Sequence, residues 1–503
     1  MLALSVAIGC SPVLAQTSAA RLPHIGDGNS MSVAQERKLG ETIMRQIIPD
    51  PDYLDDPVLV DYLQDIWGAL RESAKQLGNL TPELEESYGW QLFLVRERSV
   101  NAFALPGGYM GVHLGLVAVV SSRDELAAVL AHELSHITQR HIARMQDSQG
   151  RQTPWLIASI LLGVVAASKS PDAANAMIMG GTASAAQSQL NFSRDMEREA
   201  DRLGYGVMTN AGFEPQGVVS MFQKLAQASR LNDSGGYPYL RSHPLTTERI
   251  GDMQSRMGVN ANDSKPVALT LSHAMLSARA RALMSKRSEE IQGLVLAYEN
   301  DSEPDRSLAS RAGLLYAAVM AYTEQRQAGK AIQTVNKLLA LTADDPPAHA
   351  VARWLAADTA RRMGKPNECL AMLKDLPASR SQLLLQTSCK VASTDPTLAA
   401  QASDQLQLWL AEHPTDALAW EVSAQAYAQQ GQRLRALRAE AEAKAVRLDE
   451  AAAIDRLRAA QTLVAELTRK GQLDLGGQQE SSIIDARLRT LEARRRELLQ
   501  PHR

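Results

Sequence analysis

A chain of 503 residues exceeds the usual single-domain range, so two or more domains are expected, each long enough to bury its own core. A formal net charge of −3 with 22% charged residues lacks the basic excess of a nucleic-acid binder, which excludes that class of partner. Aromatic residues are 4% against 45% hydrophobic residues, an alanine-rich balance that suits closely packed helices and predicts a mainly α fold.

Residues 1–20 are apolar and small, and Val13-Leu14-Ala15 before Gln16 has the form of a signal-peptidase site, so export with cleavage near Ala15 is expected. Cys10 offers a second reading as a lipid acceptor, which the short apolar run before it disfavours. Residues 16–30 are rich in small polar residues and read as a flexible lead-in. Ser32 with Gln35 forms a capping-box pattern, and Leu39, Ile43 and Ile47 then recur on one helical face. A second helix is expected over 57–70 from Val60, Leu63, Ile66 and Trp67.

From Gln91 the pattern changes. Leu92–Val95, Ala102–Leu105 and Tyr109–Val112, with Pro106-Gly107-Gly108 between the last two, predict a small sheet containing a hairpin. Ser122 and Glu125 form another capping-box pattern and open a helix whose apolar face is Leu126, Val129, Leu130, Leu134 and Ile137. That helix carries His132-Glu133-Leu134-Ser135-His136. Residues four apart share a helical face, so the two imidazoles can meet one metal ion with Glu133 beside them. The five-residue pattern is degenerate alone and needs a third ligand.

Residues 155–167 are apolar but shorter than the roughly 20 that span a bilayer. They read as a buried core helix, with peripheral contact to a membrane surface or a cover for the site as the second reading. Residues 173–189 read as a mobile flap. Ser193 is expected to cap a helix over 194–209, on which Glu197 and Asp201 share a face while Glu199 points away as a solvated charge. Two helices, one with paired histidines and one with paired carboxylates, could converge on one zinc and leave a position open for water.

Beyond residue 306 the chain becomes an almost unbroken helical pattern with a loose repeat of the TPR kind. Trp420, Ala424, Tyr427, Ala436 and Ala443 mark the clearest unit; Leu315, Tyr322, Ala331, Val335 and Leu338 mark an earlier one, and Ala357, Ala360, Cys369 and Leu373 suggest another. Between 380 and 413 the repeat is blurred. Cys369 and Cys389 fall on packed neighbours, so a disulfide and a pair of buried thiols are both open. Residues 481–500 read as an Arg-rich helix with a solvated charged face.

Three motifs in order, Asn101 to Gly108, His132 to His136 and Glu197 to Asp201, joined by Ser242-His243-Pro244 through Arg249, resemble the M48 family of zinc metallopeptidases. The resemblance implies a zincin-like metallopeptidase domain over 31–270; with the repeat pattern, an α-helical TPR solenoid over 271–480 and a terminal helix over 481–503 are expected to follow. It implies one Zn2+ held by His132, His136 and Glu197, with Glu133 as general base. Asp201 carries a proton-donor label, although orienting a ligand imidazole suits its position better. His243 is expected either to steady the oxyanion or to fill the fourth zinc position, and Arg249 to assist as a cation near the developing charge. Asn101, Ala102, Phe103 and Ala104 are expected to form an edge strand that pairs with extended substrate. With the leader and repeats, this implies a periplasmic endopeptidase that degrades misfolded or misassembled outer-membrane proteins and assists their assembly, the TPR half docking substrate or the barrel-assembly machinery. The rival is a chaperone or scaffold working through its TPR groove, with a largely silenced site.

Overall fold

The computed structural model describes residues 31–148, 194–230, 237–256 and 269–499 apart from positions 304 and 394. The expected leader, the lead-in, the 155–167 and 173–189 segments and Ser193 lie outside the described residues. The fold is mainly helical with one four-stranded sheet.

Helix α1 (Val33–Ile47) opens with the capping box of Ser32 and Gln35. Strand β1 (Tyr53–Leu54) follows, then α2 (Pro57–Gln76), capped by Asp56, and α3 (Pro82–Ser87). Strands β2 (Gln91–Val95), β3 (Ala102–Leu105) and β4 (Tyr109–His113) complete the sheet in the order β1-β2-β4-β3. The predicted hairpin is β3 with β4, its turn carried by Gly107 and Gly108 at φ 78° and 85°, which only glycine adopts without strain. The sequence did not indicate two-residue β1, nor the parallel pairing of β2 with β4.

Period-two alternation places the sheet between two cores. Leu92, Leu94, Met110 and Val112 pack toward α2, whereas Phe93, Val95 and Tyr109 pack toward Leu39, Ile43 and Ile47 of α1. After α4 (Leu114–Val119) comes α5 (Arg123–Thr138), which brings Leu126, Leu130 and Leu134 into the α2 core. Ser122 caps α5, but the Glu125 carboxylate accepts from Ser121 N–H and Lys224 instead of closing the expected box on Ser122. The unit continues with α6 (His141–Ser148), α7 (Arg194–Asn210), α8 (Gln216–Arg230), α9 (Tyr239–Ser242) and α10 (Thr247–Arg256).

Among the described residues twelve further helices follow, α11 (Leu271–Met284), α12 (Ser288–Glu299), α13 (Leu308–Glu324), α14 (Ala328–Leu341), α15 (Pro346–Arg362), α16 (Pro366–Leu373), α17 (Arg380–Ala392), α18 (Pro396–Glu412), α19 (Ala417–Gln429), α20 (Arg433–Val446), α21 (Glu450–Arg469) and α22 (Leu475–Leu499); α11 packs against α13, and from α12 on each packs against the next. Small residues let neighbours nest. Trp420, Ala424, Tyr427 and Ala436 share one core, and Ala357, Ala360, Cys369, Leu373 and Cys389 share another, in which the two cysteines form a disulfide with Cα atoms 6.3 Å apart. The stretch whose repeat was blurred is a regular pair, α17 and α18.

This array curls back on the first unit. Arg380 is bidentate to Asp55, at 2.7 Å to each oxygen, and also bonds Asp416, while the Ser381 N–H donates to Asp61. Arg279 pairs with the helix-capping Asp56, and Arg45 of α1 lies 3.7 Å from Glu450 at the start of α21. No helix among the described residues is long and apolar enough to cross a membrane.

Candidate metal centre

Helices α5 and α7 approach closely because α7 carries Gly204, where a Cβ would come within 3.0 Å of the His132 backbone nitrogen. That contact lets short side chains from both helices meet. His132 and His136 project from one face of α5, Glu197 from α7, and His243 from the turn after α9. All four are buried, and one ligand atom from each lies within 4.8 Å of the others.

His132 Nε2 is 3.0 Å from His136 Nε2, 3.3 Å from His243 Nδ1 and 3.5 Å from Glu197 Oε2. Glu197 Oε1 is 3.0 Å from His243 Nδ1 and 3.5 Å from His136 Nε2. A tetrahedron with zinc–ligand bonds of 2.0–2.1 Å has edges of about 3.3–3.4 Å, so the spacing fits zinc. Converging lone pairs also demand positive charge. Burial would lower the His132 pKa, but Asp201 and Glu197 outweigh it and push His132 up to about 10. Burial would raise Glu197, but His243 and His132 hold it well below the usual carboxylate range.

Around this set, Asp201 Oδ1 lies 2.9 Å from His132 Nδ1, on the ring edge away from the cluster, so it orients that imidazole. Arg249 of α10 holds Asp201 with two bonds, 2.6 and 2.8 Å, and its Nη1 lies 2.8 Å from Glu197 and donates to the Pro244 carbonyl. Arg249, expected as a cation near the developing charge, thus lies at the edge of the cluster against two of its carboxylates. Its donors are committed to the carboxylates that build the centre.

Glu133 is fully buried beside the cluster; burial raises its pKa, opposed by His243 and His132. Its Oε2 accepts the Ala104 N–H at 3.1 Å, and Oε1 lies 3.4 Å from His243 Nε2. Residues 102–105 form β3, an edge strand as expected, with Phe103 and Ala104 half-buried; Asn101 precedes it with an Oδ1 that is buried without a partner among the described residues. Thus β3, Glu133 and the group that could hold a metal ion lie together.

Glu199 overturns its expected role as a solvated charge. It lies 3.1 Å from His141 Nε2 and 2.8 Å from Arg144, and His141 Nδ1 is 2.8 Å from His136 Nδ1. Tyr239 was also missed: it is buried, and its ring stacks on His243 at 4.6 Å. The available signals were His141 five residues after His136 and Tyr239 four before His243.

An HExxH helix crossed by a carboxylate-bearing helix, with the motif glutamate buried under a sheet edge, has the arrangement of a zinc metallopeptidase. The family model for peptidase family M48 matches residues 71–257. The chain is 30% identical over 441 residues to the beta-barrel assembly-enhancing protease of Escherichia coli, covering 86% of each protein, and 31% identical over 439 residues to that of Yersinia pestis, covering 84% of each. It is also 27% identical over 196 residues to mitochondrial metalloendopeptidase OMA1 of Saccharomyces cerevisiae, covering 38% of this chain and 54% of that protein. The chain belongs to peptidase family M48.

Proposed function

We propose that the protein is a periplasmic zinc endopeptidase that degrades misfolded or misassembled outer-membrane proteins and assists their assembly. The names of its E. coli and Y. pestis relatives support the assembly context, and the buried four-donor cluster beside Glu133 and β3 carries the chemistry. In this reading residues 31–270 form the metallopeptidase domain, and the helical pairs after it are TPR units that dock substrate or the assembly machinery.

His132, His136 and Glu197 would hold zinc, which when bound supplies a Lewis acid that activates water and polarises the peptide carbonyl. Glu133 takes the proton from the attacking water and delivers it to the leaving amine. Asp201 and Arg249 keep His132 and Glu197 in place. Substrate adds as a strand along β3, and Ala104 N–H then exchanges its bond with Glu133 for one to substrate. His243 stands among the donors, so the arrangement corresponds to a latched state, with His243 as fourth ligand, that opens when His243 withdraws.

The test is Glu133→Gln in the full chain, which should retain stoichiometric zinc and lose about 10²–10⁴-fold in cleavage of an unfolded β-barrel protein. Undiminished cleavage by the zinc-loaded variant would falsify the mechanism. The position of His243 also favours a second reading, a scaffold with a silenced site; complementation of a null strain by Glu133→Gln would support it.

A further inference from the structure

His141 is fully buried and has no part in the reaction described above. It is placed by a reversal between α5 and α6 at Arg140, a non-glycine residue at φ 53°. A side chain with a Cβ disfavours that backbone region, so the conformation persists where its surroundings hold it. Here Arg140 donates to buried Glu36 at 3.0 Å and to the Met31 carbonyl. The reversal brings His141 and Arg144 of α6 to Glu199 of α7, with His141 also against His136 of α5. Glu199, two residues and so about 200° round the helix from Glu197, faces α6 and meets His141 and Arg144.

The proton positions follow from donor and acceptor chemistry. An ionised carboxylate only accepts, so His141 Nε2 carries the proton donated to Glu199. Neutral His141 then offers a lone pair at Nδ1, which can be satisfied by a proton on His136 Nδ1, 2.8 Å away. With Nδ1 protonated, His136 presents its Nε2 lone pair to His132, Glu197 and the cluster. His132 is served directly by Asp201, itself gripped by Arg249; His136 is served through His141 by Glu199, itself gripped by Arg144. Glu197, Glu199 and Asp201 on one helix thus supply a ligand and both supports.

We propose that Glu199 and His141 are positioning residues, a carboxylate–imidazole relay that fixes the tautomer and orientation in which His136 binds zinc. This rests on the reading of His136 as a ligand. The Arg144–Glu199 pair is partly exposed and adds little stability alone. The relay acts on the metal rather than on the fold.

The experiment measures zinc affinity of the full chain by chelator competition, and the visible spectrum of its cobalt(II) form, for His141→Ala, Glu199→Ala, Glu199→Gln, the His141→Ala/Glu199→Ala double variant and His136→Ala. The single alanine variants should bind zinc about 10–100-fold more weakly and shift the cobalt bands, with metal-free thermal unfolding close to that of the parent. Glu199→Gln, which keeps an acceptor oxygen, should lose less. The double variant should be no worse than His141→Ala, because the two groups act in series. Abolished binding in His136→Ala with unchanged affinity and cobalt spectrum in His141→Ala and Glu199→Ala would overturn the relay alone. Undiminished binding in His136→Ala would instead overturn the ligand reading. Additive losses in the double variant that track loss of metal-free stability would assign the pair to the fold.

Discussion

Arg249 separates two accounts of the centre. The residue is 5% exposed, and its guanidinium bonds both oxygens of Asp201 at 2.6 and 2.8 Å and lies 2.8 Å from Glu197. Arg249→Ala would leave two buried carboxylates, four residues apart on α7, facing each other without that charge. Removing one partner of a buried ion pair costs about 3–5 kcal/mol. For a domain of this size each kcal/mol moves the midpoint by about 2–4 °C, so metal-free thermal unfolding should fall by on the order of 10 °C. Zinc would also bind about 10–100-fold more weakly, because His132 loses an anchored orienting partner. Arg249→Lys keeps the charge but loses the planar fork, so it should recover only part of both losses. Scanning calorimetry of the metal-free form and zinc competition read these directly. If Arg249→Lys bound zinc and unfolded like the parent, yet lost kcat at unchanged KM, the brace would be refuted and a cation acting on the reacting carbonyl would take its place.

Removing the imidazole in His243→Ala should raise proteolysis of an unfolded protein, about tenfold for each 1.4 kcal/mol by which the latch favours the closed arrangement; a fall would assign His243 to the oxyanion. Arg380→Ala should loosen the helical array from the first unit by about 2–3 kcal/mol, between exposed and buried pairs because Asp55 is 25% exposed and Asp416 only 5%. Hydrogen exchange at α2 and α17 should quicken, and unchanged exchange would refute the clamp. Burial raises Asp416, but Arg380 outweighs it and holds the carboxyl below its ordinary range. Its contribution is therefore complete above about pH 4 and fades as pH falls through the depressed value, so parent and Arg380→Ala should converge in acid denaturation. Reducing the Cys369–Cys389 bridge, whose ends are 20 residues apart, should lower the stability of the helical array by about 3 kcal/mol; an unchanged denaturation midpoint with reductant would contradict this.

Periodicity reports which face of an element a residue occupies, and where the site depended on that alone it was legible. His132 with His136 and Glu197 with Asp201 are i, i+4 pairs, and Phe93 and Leu94 separate to opposite cores by simple alternation. The Tyr109 strand was readable too, but its parallel partner β2 was not, because that pairing is fixed by how the chain crosses between them. Glu199 failed for a related reason. Its helical position correctly pointed away from Glu197, and the inference that it was therefore solvated assumed that nothing covers that side of α7. Arg140 reverses the chain and brings His141 and Arg144 to Glu199, which turns that carboxylate into a partner of buried His141. Arg249 and Arg380 show the same limit: a cation is plain in sequence, but whether it meets solvent, substrate or two carboxylates depends on contacts 48 and 325 residues away. The metal donors were local enough to read; the charges that hold them were set by what folds over each helix.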